Sequence, residues 1–118
     1  MGTFRVDVTV SNLADLERSL TLPLLVDTGA TYTTLPREVA DALGLKPNDT
    51  RRVRLGDGRE ERWPIAPIFV RLEGQEGHSF ALIGPQGGPA LLGAVTLEEL
   101  ALGVDPSRQR LIPTTSLV

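Results

Sequence analysis

The sequence contains no cysteine. Disulfides, thiolate metal sites and a cysteine nucleophile are excluded together. Its one histidine, His78, gives a histidine metal cluster or a Ser-His-Asp triad little to build on. No apolar run approaches the ~20 residues of a membrane-spanning helix. The start, Met-Gly-Thr-Phe-Arg-Val-Asp, lacks the basic opening and apolar centre of a signal peptide. Positive charge is not in excess either: 12 basic and 15 acidic residues are interspersed, for a net charge of -3. No basic stripe results, so no nucleic-acid partner is expected. These absences predict a soluble cytoplasmic protein without a membrane partner. The 118 residues suit one domain, 1–118. A chain of this size buries roughly 65% of the surface its unfolded form exposes. That supports a single core and leaves no room for a second lobe.

The most informative stretch is Leu24-Leu25-Val26-Asp27-Thr28-Gly29-Ala30-Thr31. An apolar run from Leu22 ends abruptly in Asp27, and small residues follow. This reads as a buried strand that delivers one carboxylate into a tight turn. Gly29 lets the backbone turn or approach another chain closely. The hydroxyls of Thr28 and Thr31 are placed to anchor the turn.

Elsewhere the pattern is mostly β. Phe4, Val6, Val8 and Val10 alternate with polar residues, as in a half-buried strand. Ser11 to Ser19 reads as a turn or an irregular connection, and Leu20 to Val26 as the second strand. Asp27 to Thr33 is the loop after it. A short helix is expected next, with Thr34 as N-cap and Pro36 in its first turn. Leu35, Val39 and Leu43, with Ala42, form its apolar stripe, and Gly44 is its left-handed stop. Arg51 to Leu55 is a strand with Val53 and Leu55 inward. Gly56-Asp57-Gly58 is a hairpin turn, returning through Arg59 to Trp63. Pro64 and Pro67 predict a broken ladder, an edge or a bend. Ile68, Val70 and Leu72 resume the alternation. Glu73 to Gly77 turns into a strand to Ile83, with Phe80 and Leu82 on one face and His78 at the surface. Gly84 to Pro89 is a loop; no Gly-Lys-Ser/Thr follows to make it a phosphate loop. Leu91-Leu92-Gly93 is a short apolar run. Thr96 and Glu99 form a capping box for a second short helix, which Gly103 stops. Asp105-Pro106 turns the chain into an extended tail from Leu111.

In this order the parts resemble the retropepsin-like, retroviral-type aspartic proteases, small prokaryotic members above all. Asp27-Thr28-Gly29 is similar to their catalytic loop, and Leu55-Gly56-Asp57-Gly58 falls where their flap tip belongs. Leu91-Leu92-Gly93 is similar to the element that crosses behind the loop. The resemblance spans nearly the whole chain. It departs from viral members at Thr31 and Ala94, where they carry Asp and Arg that brace the site and the dimer.

The resemblance implies a mainly β, closed barrel-like acid-protease fold with one or two short helices, dimerising through its termini. Phe4–Val10 and Leu111–Val118 would form the intersubunit sheet. It implies a homodimer that hydrolyses a peptide or protein substrate with no metal or cofactor. Asp27 from each chain would activate water, the pair sharing one proton because like charges a few ångströms apart resist double ionisation. Thr28, Gly29, Ala30 and Thr31 would support the loop. Gly56, Asp57 and Gly58 would close over the substrate. Two other readings of the octet are an ordinary Asx turn and the Asp-x-Gly-x-Thr phosphate loop of sugar kinases. The second needs two large α/β domains, which the chain is too short to hold. A non-catalytic, dimeric peptide-binding module is the alternative function.

Overall fold

The structure is a computed structural model that describes residues 3–118; Met1 and Gly2 of the opening segment lie outside the described residues. The elements are β1 (Arg5–Asn12), β2 (Asp15–Val26), β3 (Thr33–Leu35), α1 (Arg37–Leu43), β4 (Asp49–Arg54) and β5 (Glu60–Leu72). Then come β6 (Gln75–Ile83), β7 (Leu91–Leu92), α2 (Ala94–Glu99), β8 (Leu102–Asp105) and β9 (Arg110–Pro113). Seven strands form one sheet in the order β1-β2-β7-β3-β6-β5-β4. β1 also pairs with β5, over Thr9–Asn12, which curls the sheet into a closed barrel. The inward residues of the alternating strands, Val8, Val10, Leu24, Ile68 and Val70, are buried and fill that barrel with Leu35, Leu92 and Leu97. Each large aliphatic side chain so buried contributes about 1.5–3 kcal/mol.

The barrel corrects several expectations. Ser11–Ser19 is a β1–β2 hairpin: the expected turn is confined to Leu13 and Ala14, and the rest of the stretch is strand. The Ala14 amide donates to the Asn12 side-chain oxygen at 2.9 Å and closes the turn. Residues 15–21 are exposed on both faces, so no alternation marks them; pairing with β1 makes them a strand. Thr34 lies buried in β3 and caps nothing. The N-cap is Pro36, whose carbonyl accepts the Val39 and Ala40 amides. Ala40 is buried and Ala42 exposed, while Gly44 ends α1 in the left-handed conformation (φ 66°), as expected.

β5 runs unbroken through both prolines. Pro64 precedes the first β6 partner, and Pro67 lies between the stretches paired with β4 and with β1. Each thus falls where β5 has a neighbour on one side only, where a missing N–H is tolerated. The following turn is two residues, Glu73 and Gly74, both at positive φ (53° and 75°). Gly93 is the N-cap of α2, so Thr96 is inside the helix and not its cap. Ala101 (φ 54°) turns the chain after α2, and Gly103 sits in β8. The stretch from Leu111 pairs with β8 as β9 through Pro113.

Candidate active site

β2 carries its apolar run into the barrel and ends at Val26, immediately before Asp27. The backbone there is held on both sides. The Val26 amide donates to the Phe4 carbonyl (2.9 Å), and the Asp27 amide donates to the Leu92 carbonyl (3.0 Å). Leu25 and Val26 pair in parallel with Leu91 and Leu92 of β7. The main chain of Asp27 is therefore fixed, while its side chain is half-buried at the end of the strand. The Gly29 amide donates to Asp27 Oδ1 (3.0 Å), and the Ala30 amide to the Asp27 carbonyl (3.1 Å). A Cβ on Gly29 would stand 3.3 Å from that carboxylate oxygen and crowd it.

Behind the loop, Gly93 makes the closest backbone approach in the site. A Cβ there would fall 2.3 Å from the Tyr32 carbonyl carbon and 2.7 Å from the Thr33 nitrogen, so only glycine fits. The next two amides, of Ala94 and Val95, donate to the Ala30 and Thr31 carbonyls at 2.8 and 2.9 Å. A buried hydroxyl cluster ties these elements together. Thr96 Oγ1 lies 2.6 Å from Thr33 Oγ1 and 2.8 Å from Ser79 Oγ. Thr33 Oγ1 also accepts the Gly93 amide (3.2 Å). Sequence reasoning missed this cluster by assigning Thr96 to a cap. The available signal was three hydroxyl residues, Thr33, Ser79 and Thr96, each within a stretch bound for the core.

The loop opens onto a cleft of about 600 Å³. Gly29, Ala30, Thr31 and Tyr32 line one part of it, Arg51 to Gly56 another, and Trp63, Leu82 and Leu91 complete its apolar surface. The β4–β5 hairpin thus shares one cavity with the Asp-Thr-Gly loop. Its tip is closed by the Leu55 amide donating to the Arg59 carbonyl (2.8 Å) and the Gly58 amide to the Leu55 carbonyl (2.9 Å). Gly58 takes φ 90° there. Asp57 accepts the Arg59 amide and guanidinium, which hold its carboxyl below the ordinary value. Asp57 and Gly58 lie at the exposed tip, outside the cleft lining. Asp27 and Thr28 line a separate, smaller hollow of about 130 Å³ with Phe4, Val26 and Val104. Leu92 and Gly93 are buried behind the loop.

A profile of the aspartyl protease family matches residues 6–105, from β1 to the end of β8. The chain belongs to the aspartyl protease family. The family match takes in the Asp27 loop, the hairpin and the Leu-Leu-Gly strand. No curated protein matches the chain. Among solved structures, the EIAV protease complexed with the inhibitor HBY-793 is similar over 84% of this chain and 88% of that one, with a TM-score of 0.66 and 18% identity. That likeness shows the fold: this aspartyl protease has the mainly β, retropepsin-like barrel of a retroviral protease.

One feature of the protease cleft escaped the sequence reading, its charge. Arg51, Arg52 and Arg54 all line it. Arg51 Nη1 donates to Asp49 (2.9 Å) and to the Thr50 carbonyl (3.1 Å). The Tyr32 phenol beside it, then Asp49, hold that guanidinium above its ordinary value. Asp49 is held below its own, by the Thr50 amide and then Arg51.

Proposed function

We propose that this aspartyl protease is an endopeptidase of residues 1–118 that works as a cytoplasmic homodimer. The observation that carries the reading is a half-buried Asp-Thr-Gly carboxylate beside a cleft bounded by a glycine-tipped hairpin. These 118 residues supply one such carboxylate. A two-fold axis sets Asp27 opposite its own copy and completes the pair. One carboxylate then takes a proton from water, and the other gives a proton to the carbonyl oxygen as charge develops. Gly29 steadies the carboxylate through its amide, and Thr28 braces the two loops across the axis. Ala30 and Thr31 receive the substrate main chain, Gly56 to Gly58 close over it, and Leu91 to Gly93 keep the loop rigid. The termini supply the intersubunit sheet; Arg5–Val8 support this with one edge that β5 does not cover.

Asp27→Asn keeps the shape and loses the ionisable group. It should abolish peptide cleavage while leaving the fold and dimer intact, as followed by circular dichroism and sedimentation. Removal of a general acid–base group costs ~10²–10⁴-fold. Cleavage by the variant above about a hundredth of wild type would remove Asp27 from that role. Peptide binding without cleavage by the wild type would favour a non-catalytic binding module.

A further inference from the structure

The charge in the cleft is one-sided. Its charged lining residues are Arg51, Arg52 and Arg54, with no acid among them, in a chain whose net charge is -3. A concave surface lined by one sign of charge concentrates ligands of the other. The strand pairing adds to this. Arg52 sits directly opposite Arg62 on the neighbouring strand, an arrangement that destabilises a sheet. Arg54 and Arg59 are matched with Glu60 and Asp57, whereas Arg52 and Arg62 have no carboxylate within 4.0 Å among the described residues.

A general role for these arginines is to guard the exposed edge of β4, the last strand of its sheet. That accounts for Arg52 and Arg54, both exposed. It does not account for Arg51, which is half-buried and stands opposite Trp63, a residue that also lines the cleft. Its pair with Asp49 leaves both side chains open to water, 42% and 63% exposed, so that pair is weak. A guanidinium has five donors in a planar fork, and Nη1 alone serves Asp49 and Thr50. The fork keeps capacity for a carboxylate, and Tyr32 lines the same cleft as a second polar group.

We propose that Arg51, aided by Tyr32 and by the field of Arg52 and Arg54, selects an acidic side chain of an extended peptide at one fixed position from the scissile bond. This rests on the endopeptidase reading for the word scissile, and on the cleft alone for the acidic preference. Arg51 is then the specificity-determining residue.

The test is binding, so that it does not depend on cleavage. Fluorescent, end-blocked peptides with Glu, Gln and Lys exchanged at each position in turn are titrated against wild type and Asp27→Asn by anisotropy. One position should favour Glu by roughly tenfold, as expected for a charge-assisted guanidinium contact. That preference should fall with added salt, vanish in Arg51→Gln, and survive in part in Arg51→Lys. Arg51→Glu should turn it toward Lys. Melting curves establish that each variant folds; if Arg51→Gln does not, the Lys and Glu variants carry the comparison. Equal binding of Glu and Gln peptides at every position, a preference unchanged by these variants, or no peptide binding overturns the inference. Cleavage of the same peptides is scored separately. Cleavage without acidic preference leaves the protease reading standing and this inference refuted; acidic binding without cleavage does the reverse.

Discussion

Thr96 shows what one hydroxyl does in this molecule. It is fully buried inside α2, yet no buried side-chain polar atom among the described residues lacks a partner, because Thr33 and Ser79 share their hydrogen bonds with it. Thr33 in turn holds Gly93, and the neighbouring Leu92 carbonyl holds Asp27. Thr96→Val keeps the volume, strands the Ser79 hydroxyl and leaves Thr33 Oγ1 with the Gly93 amide alone. It should destabilise the protein by about 1–3 kcal/mol, the cost of unsatisfied buried polar groups, measured by urea unfolding. Thr33→Val in addition should then cost less than the two single changes summed, since the Thr33–Thr96 bond that both remove can be lost only once. Strict additivity would show that the cluster does not act as a unit.

At the scale of elements, the proposed closure over the substrate rests on the β4–β5 hairpin. Gly58 has open space around it, so a side chain is opposed there only by its φ of 90°. Gly58→Val should therefore strain the turn by ~1–3 kcal/mol, impair cleavage, and leave the dimer intact. Trp63 packs on Gly84, where a Cβ would lie 3.1 Å from its ring, and its indole N–H donates to Glu61 (2.9 Å). As the single tryptophan it should report hairpin closure through fluorescence when a peptide-like inhibitor binds. Full activity of the variant with silent fluorescence would place the closing element elsewhere.

The tip also has a pH signature. Folding depresses the Asp57 carboxyl below its ordinary value of 3.8, through the Arg59 amide first and its guanidinium second. A depressed acid stabilises the fold above its unfolded value and ceases to do so as pH falls through the folded one. Hydrogen exchange at the tip should thus keep its protection at pH 5 relative to pH 7, once corrected for intrinsic rates, and lose it only below 3.8. Loss of protection already between pH 7 and 5 would contradict the assignment.

Which elements were legible follows from burial. Strands with unlike faces announced themselves: Val8 and Val10, or Ile68, Val70 and Leu72, alternate because one side meets the core. The outer half of β2 has water on both sides, and its strand character comes from β1, out of reach of a local reading. The helix starts were misplaced because Thr34 and Thr96 are good caps in isolation, while tertiary contacts claim both for the interior. Of the candidate site, Asp27, Gly29, Gly56 and Leu91 to Gly93 stand out in the sequence because each lies beside a local irregularity, a strand end or a glycine. The arginine lining does not, since it depends on where β4 lies relative to the Asp27 loop.

For the whole molecule, the barrel explains how so small a chain presents a single rigid carboxylate. β7 enters between β2 and β3, and the closed sheet around it fixes the Asp27 backbone from within. The proposed chemistry then depends on a second copy, because a lone carboxylate has no partner to donate the proton that it does not hold. Mixing tests that dependence most directly. Wild-type and Asp27→Asn chains are unfolded together in equal amounts, co-refolded, and assayed for peptide cleavage against the same total of wild type. If both carboxylates of a pair are required, random pairing leaves about a quarter of the activity. Activity of about one half, the value for chains that act independently, would contradict the account.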